Sequence, residues 1–416
     1  MPVKILHFAD AHIDIANYGR RDPESGLPQR VVDYLNALDQ IIATAIDEHV
    51  DLVIFAGDAY KDRNPQPTFQ RAWGERLMQL SRAGIPTLLL IGNHDIAPAE
   101  HRAHTLQEFA TLSVPHVHVA DTLKLWTPDE LGVPVQVLAI PWVTRSRFLA
   151  RHDLAGLTAI EIMAVITERI RETIEQTLSF QVDPDLPLIL TAHASVEGAR
   201  YGSERTVMLG QDLTLSPGFV SDKRFDYVAL GHIHKHQVLN EHPPVVYAGS
   251  IERIDFGEAR EKKGFILAEV ERGEATWEFI GLDTRPFVDL AITADDPDHF
   301  MDDIMAQMPP SDRLNGAVCR VKIDFPQQYE PLLDEKLIRD HFIDAFDFRL
   351  VKNRQGENRG RLPVNEGVES LGPIELLEIY WRTRDKDEKE IAELAALASE
   401  VLMVNRYQNK TEGPAD

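Results

Sequence analysis

Val3-Lys4-Ile5-Leu6-His7-Phe8-Ala9-Asp10-Ala11-His12 is a β-rich run that stops at a carboxylate and an imidazole two residues apart. In extended backbone, residues two apart point the same way, so Asp10 and His12 converge on one point. Four later β-rich runs end in kind. Asp51 to Ala56 leads into Gly57-Asp58, where glycine permits a sharp exit. Pro86 to Ile91 leads into Gly92-Asn93-His94-Asp95, and Pro187 to Ala192 leads into His193. Phe225 to Leu230 leads into Gly231-His232-Ile233-His234, which repeats the two-apart arrangement. Between these runs lie stretches of helical periodicity, Val31 to Glu48, Phe69 to Ala83 and Ile160 to Leu178. The alternation predicts layered α/β structure, and open α/β sheets place their sites at the carboxyl ends of strands.

Singly, each motif has a plain reading: Gly-Asp is a common turn dipeptide, and a lone histidine after a strand is usually a packed side chain. Five strand ends that all finish in Asp, Asn or His form a more specific pattern, that of a metal centre. His116-Val117-His118 shares the two-apart spacing, but it lies in a short Val-rich run after Pro115 and reads as packing. His7 is expected to face the core.

The chain has 416 residues, 44% hydrophobic and 26% charged, which suits a globular protein of two domains and a tail. No apolar stretch reaches the ~20 residues a membrane span needs. The N-terminus lacks the long apolar region of a signal peptide, and the single Cys319 lies in an apolar run, so a reducing cytoplasm is expected. A net charge of -24 argues against a general nucleic-acid binder. Bound cations weaken that objection by supplying positive charge where a phosphate sits.

Residues 1–284 carry the motifs. After Thr284-Arg285-Pro286 the pattern becomes strand (Phe287 to Ile292), acidic helix (Pro297 to Met308), strand (Ala317 to Phe325) and helix (Glu335 to Phe346), a small α+β domain over 285–382. Its stretch from Lys352 to Gly367 reads as a polar loop. Residues 383–416 hold a last amphipathic helix with Ile391, Leu394, Leu397 and Val401 along one face. Basic groups at Arg145, Arg147, Arg151 and Lys235, and from Arg349 through Lys352, Arg354, Arg359 and Arg361, are candidate backbone contacts for DNA or solvated faces.

Asp-x-His, Gly-Asp, Gly-Asn-His-Asp, a lone His and Gly-His-x-His, in this order, resemble the five motifs of the calcineurin-like metallophosphoesterases. Within them the chain is most similar to the SbcD family, the nuclease subunits of bacterial double-strand-break repair complexes. Tyr247-Ala248-Gly249-Ser250-Ile251-Glu252-Arg253, followed by Asp255-Phe256-Gly257-Glu258 and Lys262-Lys263-Gly264-Phe265, resembles the family's segment after the last motif. Arg285-Pro286-Phe287 and Ser370-Leu371-Gly372-Pro373-Ile374-Glu375 resemble parts of its capping domain.

The resemblance implies a four-layer α/β sandwich, two mixed sheets flanked by helices, with a small α+β capping domain. It implies two divalent metal ions, Mn2+ in kind. One would be held by Asp10, His12, Asp58 and His234, the other by Asp58, Asn93, His193 and His232. His94 would stabilise or protonate the leaving oxygen, and Asp95 would orient His94. The implied activity is Mn-dependent exonuclease action on double-stranded DNA ends, alone or together with endonuclease action. Implied partners are a second copy, in a homodimer, and an SbcC-type ATPase whose coiled-coil base would receive the last helix. Three positions depart from the family pattern: Ala11 is smaller than usual, Asp14 stands where glycine is common, and Lys61 stands where some relatives carry a histidine used in DNA handling. A small-molecule phosphodiesterase or phosphatase and a non-catalytic scaffold are the competing readings.

Overall fold

The computed structural model describes residues 2–97, 102–143, 159–202, 213–355, 373–382 and 386–408. Arg145, Arg147, Arg151, Arg359 and Arg361 lie outside them. The chain divides into two compact units: residues 1–290 with 309–321 and 339–349, and residues 291–308 with 322–338 and 350–416.

The first unit is built from β1 (Val3–Phe8), α1 (Gln29–Asp47), β2 (Leu52–Phe55), α2 (Pro67–Arg82), β3 (Thr87–Leu90), β4 (Val117–Ala120), β5 (Lys124–Trp126) and β6 (Gln136–Ile140). After the long helix Ala159–Phe180 come β7 (Leu188–His193), the short pair β8 (Ser195–Val196) and β9 (Thr214–Leu215), and β10 (Tyr227–Gly231). Then follow β11 (Gln237–Glu241), β12 (Pro244–Tyr247), β13 (Gly264–Glu271) and β14 (Glu274–Gly281). Two six-stranded sheets result, of order β14-β13-β1-β2-β3-β4 and β11-β12-β10-β7-β6-β5. Both are mixed: β1, β2, β3 and β4 run parallel while β13 pairs antiparallel with β1, and β6, β7, β10 and β12 run parallel while β5 and β11 are antiparallel edges.

Strand periodicity explains the layering. In β1 and β2, Ile5, Leu52 and Ile54 face inward against Val137, Ala139, Ile189, Tyr227 and Ala229 of the second sheet. Their neighbours Leu6, Phe8, Val53 and Phe55 face outward, onto Val31, Tyr34, Leu38, Ile41 and Ile42 of α1 and Trp73 and Leu77 of α2. On the far side, Leu188, Leu190 and Ala192 of β7 meet Ile166, Ile170, Ile174 and Leu178 of the long helix. Strands buried on both faces read as near-continuous apolar runs, which is how they appear in the sequence. The order is helix, sheet, sheet, helix, the four-layer arrangement expected. His7 is buried between the sheets, within 3.1 Å of the Tyr227 hydroxyl and 3.2 Å of the Leu230 carbonyl.

A third sheet has the order β15 (Phe287–Thr293), β16 (Val318–Pro326), β17 (Asp347–Gln355). Strand β17 takes in Lys352–Gln355, the first residues of the expected polar loop, whose remainder, 356–367, lies outside the described residues; the preceding helix is shorter than expected, Glu335–His341. Lys352 and Arg354, two apart on the strand, point together at glutamates: Lys352 to Glu330 and Glu335 at 3.0 and 2.7 Å, and Arg354 to Glu330. Their charge is thus offset within the unit. The last helix, Glu388–Gln408, contacts the helix Pro373–Arg382 and buries Ile391, while Leu397 is 58% exposed. Cys319 is buried, and burial pushes its thiol up to about 12, as befits a structural cysteine. Among the described residues no helix is long and apolar enough to cross a membrane.

Candidate metal centre

Parallel strands in one sheet present their carboxyl ends on the same edge, and the motif residues leave the strands there. Asp10 and His12 follow β1, Asp58 follows β2 and Asn93 follows β3, all in the first sheet. His193 ends β7, and His232 and His234 follow β10, in the second. The loops are knitted together by backbone bonds, Asp10 N–H to Gly57 O and Ala11 N–H to Asp58 O, both at 2.9 Å. The His232 N–H reaches both oxygens of Asp10 at 3.1 Å and so ties the two sheets at the site.

All seven residues come together, and all are buried. Ligand atoms of Asp10, His12 and His234 lie within 4.8 Å of one another, as do those of Asp10, Asp58 and His193. Asp10 is common to both groups, and Asp58 Oδ2 lies 3.7 Å from His12 Nε2 and 3.4 Å from His193 Nε2. Asn93 Oδ1 is 3.0 Å from His193 Nε2 and 3.1 Å from His232 Nδ1.

The backbone is bent to make this possible. Asp10, His12, Asp58 and His232 have φ of 51°, 41°, 66° and 96°, a region that residues other than glycine rarely occupy. Such strain persists where surrounding structure over-determines it, and it concentrates at functional sites. Gly92 serves close approach: a Cβ there would lie 2.1 Å from Asp58 Oδ1 and 2.5 Å from Asp58 N.

Acceptors behind the imidazoles fix their tautomers. A carbonyl oxygen only accepts, so the Nδ1–H of His12 donates to Tyr60 O at 3.2 Å and that of His193 to Ala56 O at 2.7 Å. The Nδ1–H of His234 donates to Glu258 Oε1 at 2.9 Å. His12 and His234 therefore turn Nε2 lone pairs toward each other at 3.3 Å, beside the Asp10 carboxylate. A shared cation reconciles such an arrangement, and mixed nitrogen and oxygen donors suit Mn, Fe or Zn.

Buried charge is shared across the cluster, and a cation bound there would have to displace the proton that Asp58 and Asp10 hold on His193. Burial, together with the nearby Asp58 charge, pushes Asp10 up to about 7 against the pull of His193 and His234. Burial alone would depress His193, but Asp58 and Asp10 outweigh it and raise the imidazole to about 9. Burial holds His12 well below its ordinary value, as a neutral donor.

His94 stands at the rim. Its N–H donates to Asp58 Oδ1 at 2.8 Å, its Nδ1–H donates to the Lys61 carbonyl at 2.8 Å, and its Nε2 faces the Lys61 ammonium at 3.3 Å. Two of the three unusual positions of the sequence prove connected: Asp14 accepts the N–H groups of Lys61 and Asp62 at 2.5 and 2.9 Å and so holds the lysine loop. Asp95 needs a correction. It does not orient His94, because its oxygens are taken by the N–H groups of Asp58, Ala59 and Gly92 and by the Thr105 hydroxyl, at 2.8 to 3.1 Å. Asp95 is a positioning residue for the Asp58 and Gly92 loops, and the Lys61 carbonyl orients His94.

Two neighbours of the site escape sequence reasoning. Trp142 places its ring 5.1 Å from His232 and 6.1 Å from His193; its signal is an aromatic directly after the strand end Ile140-Pro141. Glu258 stands out in the sequence only as part of a family-like segment. A groove of about 1070 Å³ opens beside His94 and is lined by Asp14, Arg21, Lys61, Arg63 and Phe69, among others.

The family model for calcineurin-like phosphoesterases matches residues 3–236. The SbcD component of the nuclease SbcCD of Escherichia coli (strain K12) is 27% identical over 279 residues, 65% of this chain and 66% of that one, so the match spans just under two thirds of that relative. The uncharacterized metallophosphoesterase YhaO of Bacillus subtilis (strain 168) is 27% identical over 280 residues, 66% of this chain and 59% of that one. Among solved structures, a dimetal phosphatase from Danio rerio has a TM-score of 0.38 at 11% identity, over 67% of this chain and 99% of that one.

Proposed function

Because the chain belongs to the calcineurin-like phosphoesterase family, we propose that it is a Mn2+-dependent DNA nuclease acting on double-stranded ends. The observation that carries this reading is the placement of Asp58 Oδ2 between His12 and His193, which makes one carboxylate available to two cations at once. Asp10, His12, Asp58 and His234 would hold one ion, and Asp58, Asn93, His193 and His232 the other. Two divalent cations bound there supply the Lewis acidity that makes water a nucleophile at neutral pH and the charge that offsets a phosphoryl transition state.

The protein's own groups do the rest. His94 and Lys61 hold a proton between Nε2 and Nζ at the rim, where a leaving oxygen can collect it. The Asp14 anchor keeps that pair in place. Arg21, Lys61 and Arg63 outnumber Asp14 and Asp62 along the open groove, a small cationic excess that suits a polymeric diester in a protein of net charge -24. Similarity to a nuclease component favours DNA as that polymer. The same similarity supports, as parts of this proposal, an SbcC-type ATPase partner, a homodimer and a cytoplasmic setting.

A small-molecule phosphodiesterase is the second reading, favoured by the acidic balance and by the glutamates that engage Lys352 and Arg354. End-labelled linear duplex DNA and a bis-aryl phosphodiester, each incubated with Mn2+, separate the two. Cleavage of both substrates is expected. Turnover of the ester with intact DNA, in the presence and absence of an SbcC-type partner, would overturn the nuclease assignment.

A further inference from the structure

Glu258 closes a short turn, Phe256–Glu258, in the segment after the last histidine motif, and its side chain is fully buried. One oxygen accepts the His234 Nδ1–H at 2.9 Å. The other lies 2.8 Å from the Lys263 ammonium and 3.1 Å from the Ile254 N–H. Lys263 is itself buried and donates further to the Ser250 hydroxyl at 2.8 Å, Glu261 at 2.9 Å and the His234 carbonyl at 3.1 Å. A buried ion pair is a weak source of stability, because desolvation offsets most of its attraction. Plain core packing would fill this space at less cost. The pair is aimed at the back of one imidazole, and through its carbonyl contact Lys263 also grips the backbone of that residue.

We propose that the Lys263–Glu258 pair positions His234 and sets the affinity of the cation site formed by Asp10, His12 and His234, leaving the site of Asn93, His193 and His232 unaffected. This rests on the two-cation reading above. A carboxylate behind a ligating histidine fixes its ring and raises its basicity, and losing such a partner typically costs about 10- to 100-fold in metal affinity. On the other side of the centre, His193 leans on the neutral Ala56 carbonyl instead. His234 and His193 are therefore backed unequally, and the support of His234 comes from a segment outside the five motifs.

The test is Mn2+ titration calorimetry on the full chain, with electron paramagnetic resonance to follow the coupled ion pair. Wild type should bind two ions. Glu258→Gln should keep one at wild-type affinity, bind the other about 10- to 100-fold more weakly, and recover the coupled signal at higher Mn2+. In this variant Lys263 keeps Glu261 as a counter-charge, so folding is expected to survive. Removing both charges with Glu258→Gln/Lys263→Met covers the case in which it does not, and the same selective loss is expected. Wild-type affinity at both sites, or equal weakening of both, would overturn the proposal. Fewer than two ions on wild type would instead remove the two-cation reading beneath it.

Discussion

Replacing Gly92 by alanine should displace Asp58 and cripple the site. The added Cβ would sit 2.1 Å from Asp58 Oδ1, 2.5 Å from Asp58 N and 2.8 Å from its Cγ. Ordinary contact begins at 3.4 Å, so something must yield by roughly 1 Å. The Asp58 backbone cannot move freely, since Asp95 holds its N–H at 2.8 Å and its carbonyl accepts the Ala11 N–H at 2.9 Å. The carboxylate that stands between His12 and His193 must therefore swing, and the 2.5 Å approach to Asp58 N forces the Gly92 turn to shift as well, at a cost that thermal unfolding reads. A misplacement of about 1 Å costs on the order of 10²-fold in rate, or about 2.7 kcal/mol of barrier. Steady-state hydrolysis of a bis-aryl phosphodiester with saturating Mn2+ measures it, alongside thermal unfolding. Gly218→Ala is the control, because a Cβ there meets nothing within 4 Å. If Gly92→Ala turned over at the wild-type rate, the claim that Asp58 must occupy its observed position would fail.

Three further outcomes are expected. His94→Ala should lower kcat by about 10²- to 10⁴-fold with two Mn2+ ions still bound; loss of an ion would move His94 into the ligand set. Asp95→Asn replaces a four-bond acceptor by a group with one oxygen, so two charge-assisted bonds at about 1.5–3 kcal/mol each should go. Denaturant unfolding would read that loss, and a drop below about 1 kcal/mol would contradict the role given to Asp95. Burial lowers His7 from 6.5 to about 3, so between those values the unfolded chain binds the extra proton and stability declines as pH falls. The slope from this group is about 1.4 kcal/mol per pH unit, and His7→Gln, which keeps a donor and an acceptor, should flatten it; an unchanged acid profile would count against that account.

Why the sequence is informative at some positions and silent at others has a physical basis. Doubly buried strands such as Leu52-Val53-Ile54-Phe55 can be read because both faces demand apolar residues. The proposed ligand residues stand out because carboxylates and imidazoles are costly at buried strand ends without a purpose. Strand β17 resembles a loop in sequence because its solvent-facing positions are charged and their partners, Glu330 and Glu335, lie about twenty residues upstream. Adjacency in sequence links Asp95 to His94, whereas its donors come from loops up to 37 residues away. Glu258 is silent for the same reason, its meaning residing in a contact 24 residues distant.

The division of the proposed ligands between two sheets has a mechanical consequence. Asp10, His12, Asp58 and Asn93 ride on one sheet, and His193, His232 and His234 on the other, so their spacing equals the registration of one sheet on its neighbour. Any slippage of the layers would be felt first as a widened coordination gap. Under the proposed activity, turnover would double as a strain gauge for the interior, and substitutions at Ile54, Ala139 or Tyr227, which pack between the sheets, become candidates for tuning the site by fractions of an ångström.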